Sequence, residues 1–165
     1  MEINQGRGNS NKIMTRIILP LVRDNGALLV SFNGGNMRNA IPREAVAEIS
    51  IAKSALELAG KHINAIKDAV IDEYSPVEPN IEIFFEEIAA AKSVIPANVA
   101  LSALRAISAC PCNVDRMSLA MENLVETSNN LAIVQTDSNT IKVITLMRGS
   151  TDSAKFALEE SIRSV

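Results

Sequence analysis

Helical and strand-like periodicities alternate along this chain, and their order limits the folds open to it more than any single motif does. Residues 9–23, NSNKIMTRIILPLVR, set Ile13, Met14, Ile17, Ile18 and Leu21 at helical spacing, with Asn9 or Ser10 placed to cap the start. Pro20 removes one helical donor and is expected to kink or shorten the last turn, and Asp24-Asn25-Gly26 reads as a stop. Two strand-like runs follow, ALLVSF at 27–32 and EAVAEISIA at 44–52, the second with Ala45, Ala47, Ile49 and Ile51 on one face. A second helix spans 54–74 with a stripe of Ala55, Leu58, Ala59, Ile63, Ile66 and Val70, and the prolines of SPVEP end it. NIEIFFEEI, 80–88, alternates as a strand does. A third helix covers 96–110, opened by Pro96. Strands at about 123–135 and 140–148 turn at Asp137-Ser138-Asn139, and a last helix begins near Thr151.

The order is αββαβ, then αββα. A βαββαβ unit folds as an antiparallel sheet with its helices on one face. The expected class is therefore α+β: a ferredoxin-like antiparallel sheet with helices packed on it. It is written as two degenerate βαββαβ-type halves, about 1–92 and 93–165, lacking an opening and a closing strand respectively. The missing strands, and an apolar helix that runs uncapped into SIRSV, give both ends the look of a piece trimmed from a larger protein.

Composition narrows the function classes. With 165 residues, nearly half of them apolar, the chain can bury a core without disulfides or metals. A net charge of -3 argues against a nucleic-acid surface, and four Phe, one Tyr and no Trp leave little for base stacking. No apolar run approaches the length of a membrane helix. The polar start, MEINQGRGNSNK, is not a signal peptide, which favours the cytoplasm. Cys110-Pro111-Cys112 suits neither an easy disulfide nor a C-x-x-C knuckle and reads as two free thiols at a helix end. His62 reads as a surface or half-buried helix residue. One histidine and two adjacent cysteines are too few for a catalytic zinc site, so the chain taken alone looks catalytically poor.

Three polar stretches stand out. GRGNSNK, 6–12, looks like a phosphate-binding entry to a helix but lacks the P-loop spacing, and a plain capped helix start explains it better. SFNGGNMRNAIPREA, 31–45, is too long and too polar for an ordinary hairpin turn. Within it Asn39 precedes a rigid Ile41-Pro42 pair, so its amide presents a donor and an acceptor in a fixed direction. Arg148 ends the strand-like run IKVITLMR, where it could clamp a carboxylate bidentately. On residue types alone, each is as compatible with a structural or solvated role.

GRGNSNK, FNGGNMRNAIPREA and VETSNNLAIV…ITLMRGSTDS together resemble the lid domain of bacterial aminoacyl-histidine dipeptidases. These belong to the zinc peptidase superfamily of carboxypeptidase G and the carnosinases. The similarity covers most of the chain in order; 33–45 is its most specific part and 54–118 its least. The resemblance implies an enzyme in which a separate catalytic domain holds two zinc ions. This chain would be the lid that closes over a dipeptide and makes dimer contacts. The zinc ligands, and a histidine that helps polarise the scissile carbonyl, would lie outside it, leaving the isolated chain inactive. Residue by residue, the resemblance implies that Asn39 hydrogen-bonds the substrate and that Arg148 binds its C-terminal carboxylate. Asn36 and Arg38 would line the same rim. The competing expectation is a stand-alone ferredoxin-like module that binds a small molecule or dimerises through its open sheet edges.

Overall fold

The computed structural model describes residues 3–165. The elements run α1 (Ser10–Asp24), β1 (Leu28–Gly34), β2 (Ala45–Ser50), α2 (Leu56–Tyr74), α3 (Ala97–Ala109), β3 (Asn113–Met117), β4 (Val125–Thr136), β5 (Ile141–Gly149) and α4 (Asp152–Arg163). All strand pairs are antiparallel and form one five-stranded sheet. The α+β class is as expected; the first half runs α-β-β-α and the second α-β-β-β-α. One core joins both halves: Ile17, Leu21, Phe32 and Val70 from the first meet Leu104, Ile107, Leu131 and Val134 from the second.

Three local expectations are corrected. Residues 80–88 form no strand. Ile81 and Ile83 pack against the core, but the alternation stops there: Phe85, which it would turn inward with them, is exposed along with Phe84 and Ile88, and no neighbouring backbone pairs with the segment. Asn113–Met117, a segment for which the sequence pattern signals no element, is a strand. Its sequence NVDRM has no apolar alternation. It is held instead by its ladder to β4, by the Thr127 hydroxyl donating to Asp115 at 2.8 Å, and by an Arg116–Glu126 ion pair. Finally, Pro20 does not shorten α1, which runs on to Asp24. Leu21, fully buried, anchors that last turn, and its carbonyl accepts from both Asn25 and Ala27.

Two irregularities set which side chains face the core. β1 shifts register between Leu29 and Ser31, and β4 between Leu131 and Ile133. Each bulge turns residues three apart onto one face. Leu29 and Phe32 are thereby both buried, as are Leu131 and Val134.

β4 also has an interrupted edge. β5 pairs with it from Thr127 to Thr136 and occupies one side. β3, opposite 125–129, and β1, opposite Val134, must therefore share the other side end to end. The gap between them is filled from α1. Asn9 and Asn11 both donate side-chain N–H groups to the Leu131 carbonyl, at 3.0 and 3.3 Å, satisfying an acceptor that no strand reaches.

Candidate functional site

The long connection between β1 and β2 folds over this gap. Gly35 starts it with φ +71°, and a Cβ there would stand 1.9 Å from the Ala132 carbonyl oxygen, so the position requires glycine. The Gly35 N–H donates to the Glu44 carbonyl at 3.1 Å and closes the base. Further along, the Ser10 N–H at the start of α1 donates to the Pro42 carbonyl at 3.1 Å. Arg43 pairs with Glu78, whose other carboxylate oxygen accepts the Gly8 N–H at 2.7 Å. Arg43 is thus committed to holding the loop.

The most direct hold comes from Asn130. Buried in β4, it donates from Nδ2 to the carbonyls of Ala40 at 2.7 Å and Arg38 at 3.2 Å. Asn39 lies between these two anchors, and the side chains of Asn36, Arg38 and Asn39 are all exposed.

Strand register places Arg148 nearby. Ser128 on β4 pairs directly with Arg148 on β5, with no register shift between Thr127 and Leu131. Directly paired residues, and residues two apart on a strand, share a face. Asn130, Ser128 and Arg148 therefore project on one side of the sheet, with Asn130 and Arg148 as diagonal neighbours about 7 Å apart. Leu131, paired off that face, turns to the core. The 38–40 backbone is thus pinned beside Arg148, on the side away from the core. Arg148 is exposed, and among the described residues neither it nor Asn36, Arg38 or Asn39 has a side-chain hydrogen bond or ion pair. A guanidinium without an internal partner can bind a carboxylate, and an exposed amide can bind a peptide group.

The other sequence features resolve to structural roles. Asn9 caps α1, its Oδ1 accepting from the Lys12 N–H at 3.2 Å. The Lys12 ammonium donates to the carbonyls of Ile107, Ser108 and Cys110 and so closes the C-terminus of α3. Burial lowers its pKa, opposed by the Cys112 and Cys110 thiols nearby. With the Gly8 and Ser10 N–H groups taken by Glu78 and Pro42, GRGNSNK is a docked helix start. Cys110 and Cys112 are free thiols, and burial raises the pKa of Cys110. His62 is half-buried on α2. Among the described residues no three His, Cys, Asp or Glu side chains gather as a metal cluster, so the donor set does not fit a zinc site.

Two other features were not singled out from the sequence. A cleft of about 780 Å³ opens between α1, β2 and residues 77–84, lined by Ile17, Arg43, Ala47, Glu78, Ile81 and Phe84 among others; none of the four nominated residues lines it. Asn130 was also unmarked. Its signal is the run Glu126-Thr127-Ser128-Asn129-Asn130, five consecutive polar residues that are all buried in one strand. Buried polar side chains need partners, so such a run marks built contacts.

Comparison with known proteins agrees with this architecture. Residues 1–78 match the family described as the peptidase dimerisation domain. The chain is 32% identical over 154 residues to the cytosol non-specific dipeptidase of Escherichia coli (strain K12), covering 93% of this chain and 32% of that protein. The crystal structure of aminoacylhistidine dipeptidase from Vibrio alginolyticus superposes with a TM-score of 0.95 at 32% identity, over 99% of this chain and 33% of that one. The chain thus spans about a third of the length of these relatives. The resemblance read from the sequence is borne out: residues 1–78 match a peptidase dimerisation domain, and the chain is built like the matching third of an aminoacylhistidine dipeptidase.

Proposed function

We propose that residues 1–165 form the substrate-covering lid and dimer-contact domain of a cytoplasmic, zinc-dependent dipeptidase that hydrolyses Xaa-His and related dipeptides. The observation that carries this reading is the shared sheet face: an unpaired Arg148 beside the pinned 38–40 backbone, with Asn39 exposed between the pins. In the proposed enzyme Arg148 binds the C-terminal carboxylate of the dipeptide through a charge-assisted, bidentate pair. Asn39 hydrogen-bonds the substrate across the closed interface, with Asn36 and Arg38 on the rim. Zinc and its ligands belong to the separate catalytic domain, where the metal would polarise the scissile carbonyl and activate water. The lid positions the dipeptide and excludes bulk water. The names of the relatives support the dipeptide class.

The test is Arg148→Ala in the full-length enzyme. The expected result is a strongly raised KM, by roughly tenfold or more for the loss of a well-desolvated charged hydrogen bond, with normal zinc content. Unchanged kinetics would remove Arg148 from the site. Saturable binding of a dipeptide to this chain alone would favour a stand-alone binding module instead.

A further inference from the structure

We infer that Asn130 is a positioning residue: its amide sets the 38–40 backbone, and through it Asn39, against substrate. The inference deepens the proposed lid reading and rests on it. Asn130 is 1% exposed and has no route to the ligand itself. Its two ends are sorted by their partners. Nδ2 donates to two carbonyls, Ala40 at 2.7 Å and Arg38 at 3.2 Å, while Oδ1 accepts from Asn9 Nδ2 at 3.4 Å. Exchanging the amide's oxygen and nitrogen would set an oxygen against two carbonyl oxygens and a nitrogen against another donor, so the amide has a single workable orientation.

Asn9 is fixed in turn. Its Oδ1 caps α1, and its Nδ2 also donates to the Leu131 carbonyl at 3.0 Å in the gap between β3 and β1. A relay therefore runs from the start of α1, through Asn9 and Asn130, to the two peptide groups that flank Asn39. The loop's other fastenings, Gly35 to Glu44, Pro42 to Ser10 and Arg43 to Glu78, hold its ends. Asn130 alone holds its middle among the described residues, and it springs from the same strand face as Arg148. Moving the loop relative to Arg148 means breaking the bonds of Asn130 first.

The experiment is a double-mutant cycle in the full-length dipeptidase: Asn130→Ala, Asn39→Ala and both together. Each is measured for kcat, KM, thermal stability and amide exchange of 36–44. Asn130→Asp is a second variant that keeps the side-chain volume and replaces the donor with an acceptor. A displacement of about 1 Å at a positioning group can cost around a hundredfold in rate. The expected result is a 10- to 100-fold loss of kcat/KM, taken mainly in kcat, in both Asn130 variants, with faster exchange in 36–44. The double variant should be no worse than Asn39→Ala alone, because Asn130 acts through Asn39. Multiplying losses, or a loss that tracks only thermal stability, would overturn the inference by making Asn130 a general stabiliser. Unchanged kcat/KM in both Asn130 variants would overturn it as well. Failure of the site reading shows separately: Asn39→Ala and Arg148→Ala would both be silent while Asn130→Ala still loosened the loop, leaving Asn130 a clamp with no substrate role.

Discussion

Two irregular stretches of this molecule, 35–44 and 79–94, have opposite kinds of anchorage. The first is polar, yet its backbone is fastened at Gly35, Arg38, Ala40, Pro42 and Glu44, and its side chains at Arg43. The second is rich in Ile and Phe, yet among the described residues it makes no hydrogen bond between Pro79 and Val94 and is held by packing of Ile81 and Ile83. Apolar contact alone leaves a segment free to slide. Directional bonds to buried partners fix where each peptide group lies, and a loop that presents side chains to a ligand needs that kind of fixing.

The largest effect is expected at Gly35. Gly35→Ala brings a Cβ within 1.9 Å of the Ala132 carbonyl oxygen, at a φ that side-chain-bearing residues rarely adopt. Loop and strand must part, and the expected loss is ~3 kcal/mol or more, read from urea unfolding. A loss below ~1 kcal/mol would show that 35–44 is not seated on β4, and the contrast with 79–94 would fall. Glu78 comes next. Its carboxylate is buried, so Glu78→Ala leaves the Gly8 N–H and Arg43 without a partner, at an expected cost of ~2 kcal/mol. Glu78→Gln keeps an acceptor for Gly8 and loses only a pair whose arginine is more than half exposed, so its cost should be under ~1 kcal/mol. Equal losses in the two variants would place the hold in the charge pair instead of the backbone bond.

How far the sequence discloses these arrangements depends on whether a contact leaves a local pattern. The helices leave one, since Ile13, Ile17, Ile18 and Leu21 recur at helical spacing and are all buried. β2 leaves one too, with Ala45, Ala47 and Ile49 turned inward. β1 and β4 are blurred because their bulges move Phe32 and Val134 out of the alternating phase. β3 leaves none, because its two apolar residues, Val114 and Met117, do not alternate and its pairing to β4 is not signalled locally. Residues 80–88 show the converse: a strand pattern with no strand, since period two reports one-sided burial and says nothing about a hydrogen-bonded neighbour. At the candidate site, residue type and resemblance point to Asn39 and Arg148, but nothing local relates the 38–40 backbone to the sheet face that carries Arg148. That relation follows from the Ser128–Arg148 register and from Asn130, separated from the loop by some 90 residues.

A protease should find the difference between the two stretches. Chymotrypsin under native conditions is expected to cut first at Phe84 or Phe85, with the 35–44 loop intact, because local opening there breaks no hydrogen bonds. First cleavage inside 35–44 would reverse the ranking of the two stretches.

The smallest effect should come from the largest exposed side chain in the looser stretch. Phe84 is 82% exposed, whereas Phe32 is fully buried in the core. Phe32→Ala would remove packed volume at a cost of about 3–5 kcal/mol, but Phe84→Ser removes surface that folding scarcely covers. The expected change in unfolding free energy is within ~0.5 kcal/mol. The comparison sharpens if Phe84→Ser is silent in stability and chymotrypsin then cuts first at Phe85, since the segment is then held by apolar packing that does not involve Phe84. A loss above ~1 kcal/mol would mean that Phe84 packs in solution. The segment would then be anchored by apolar burial as firmly as 35–44 is by its hydrogen bonds, and directional bonding would no longer be what separates the two.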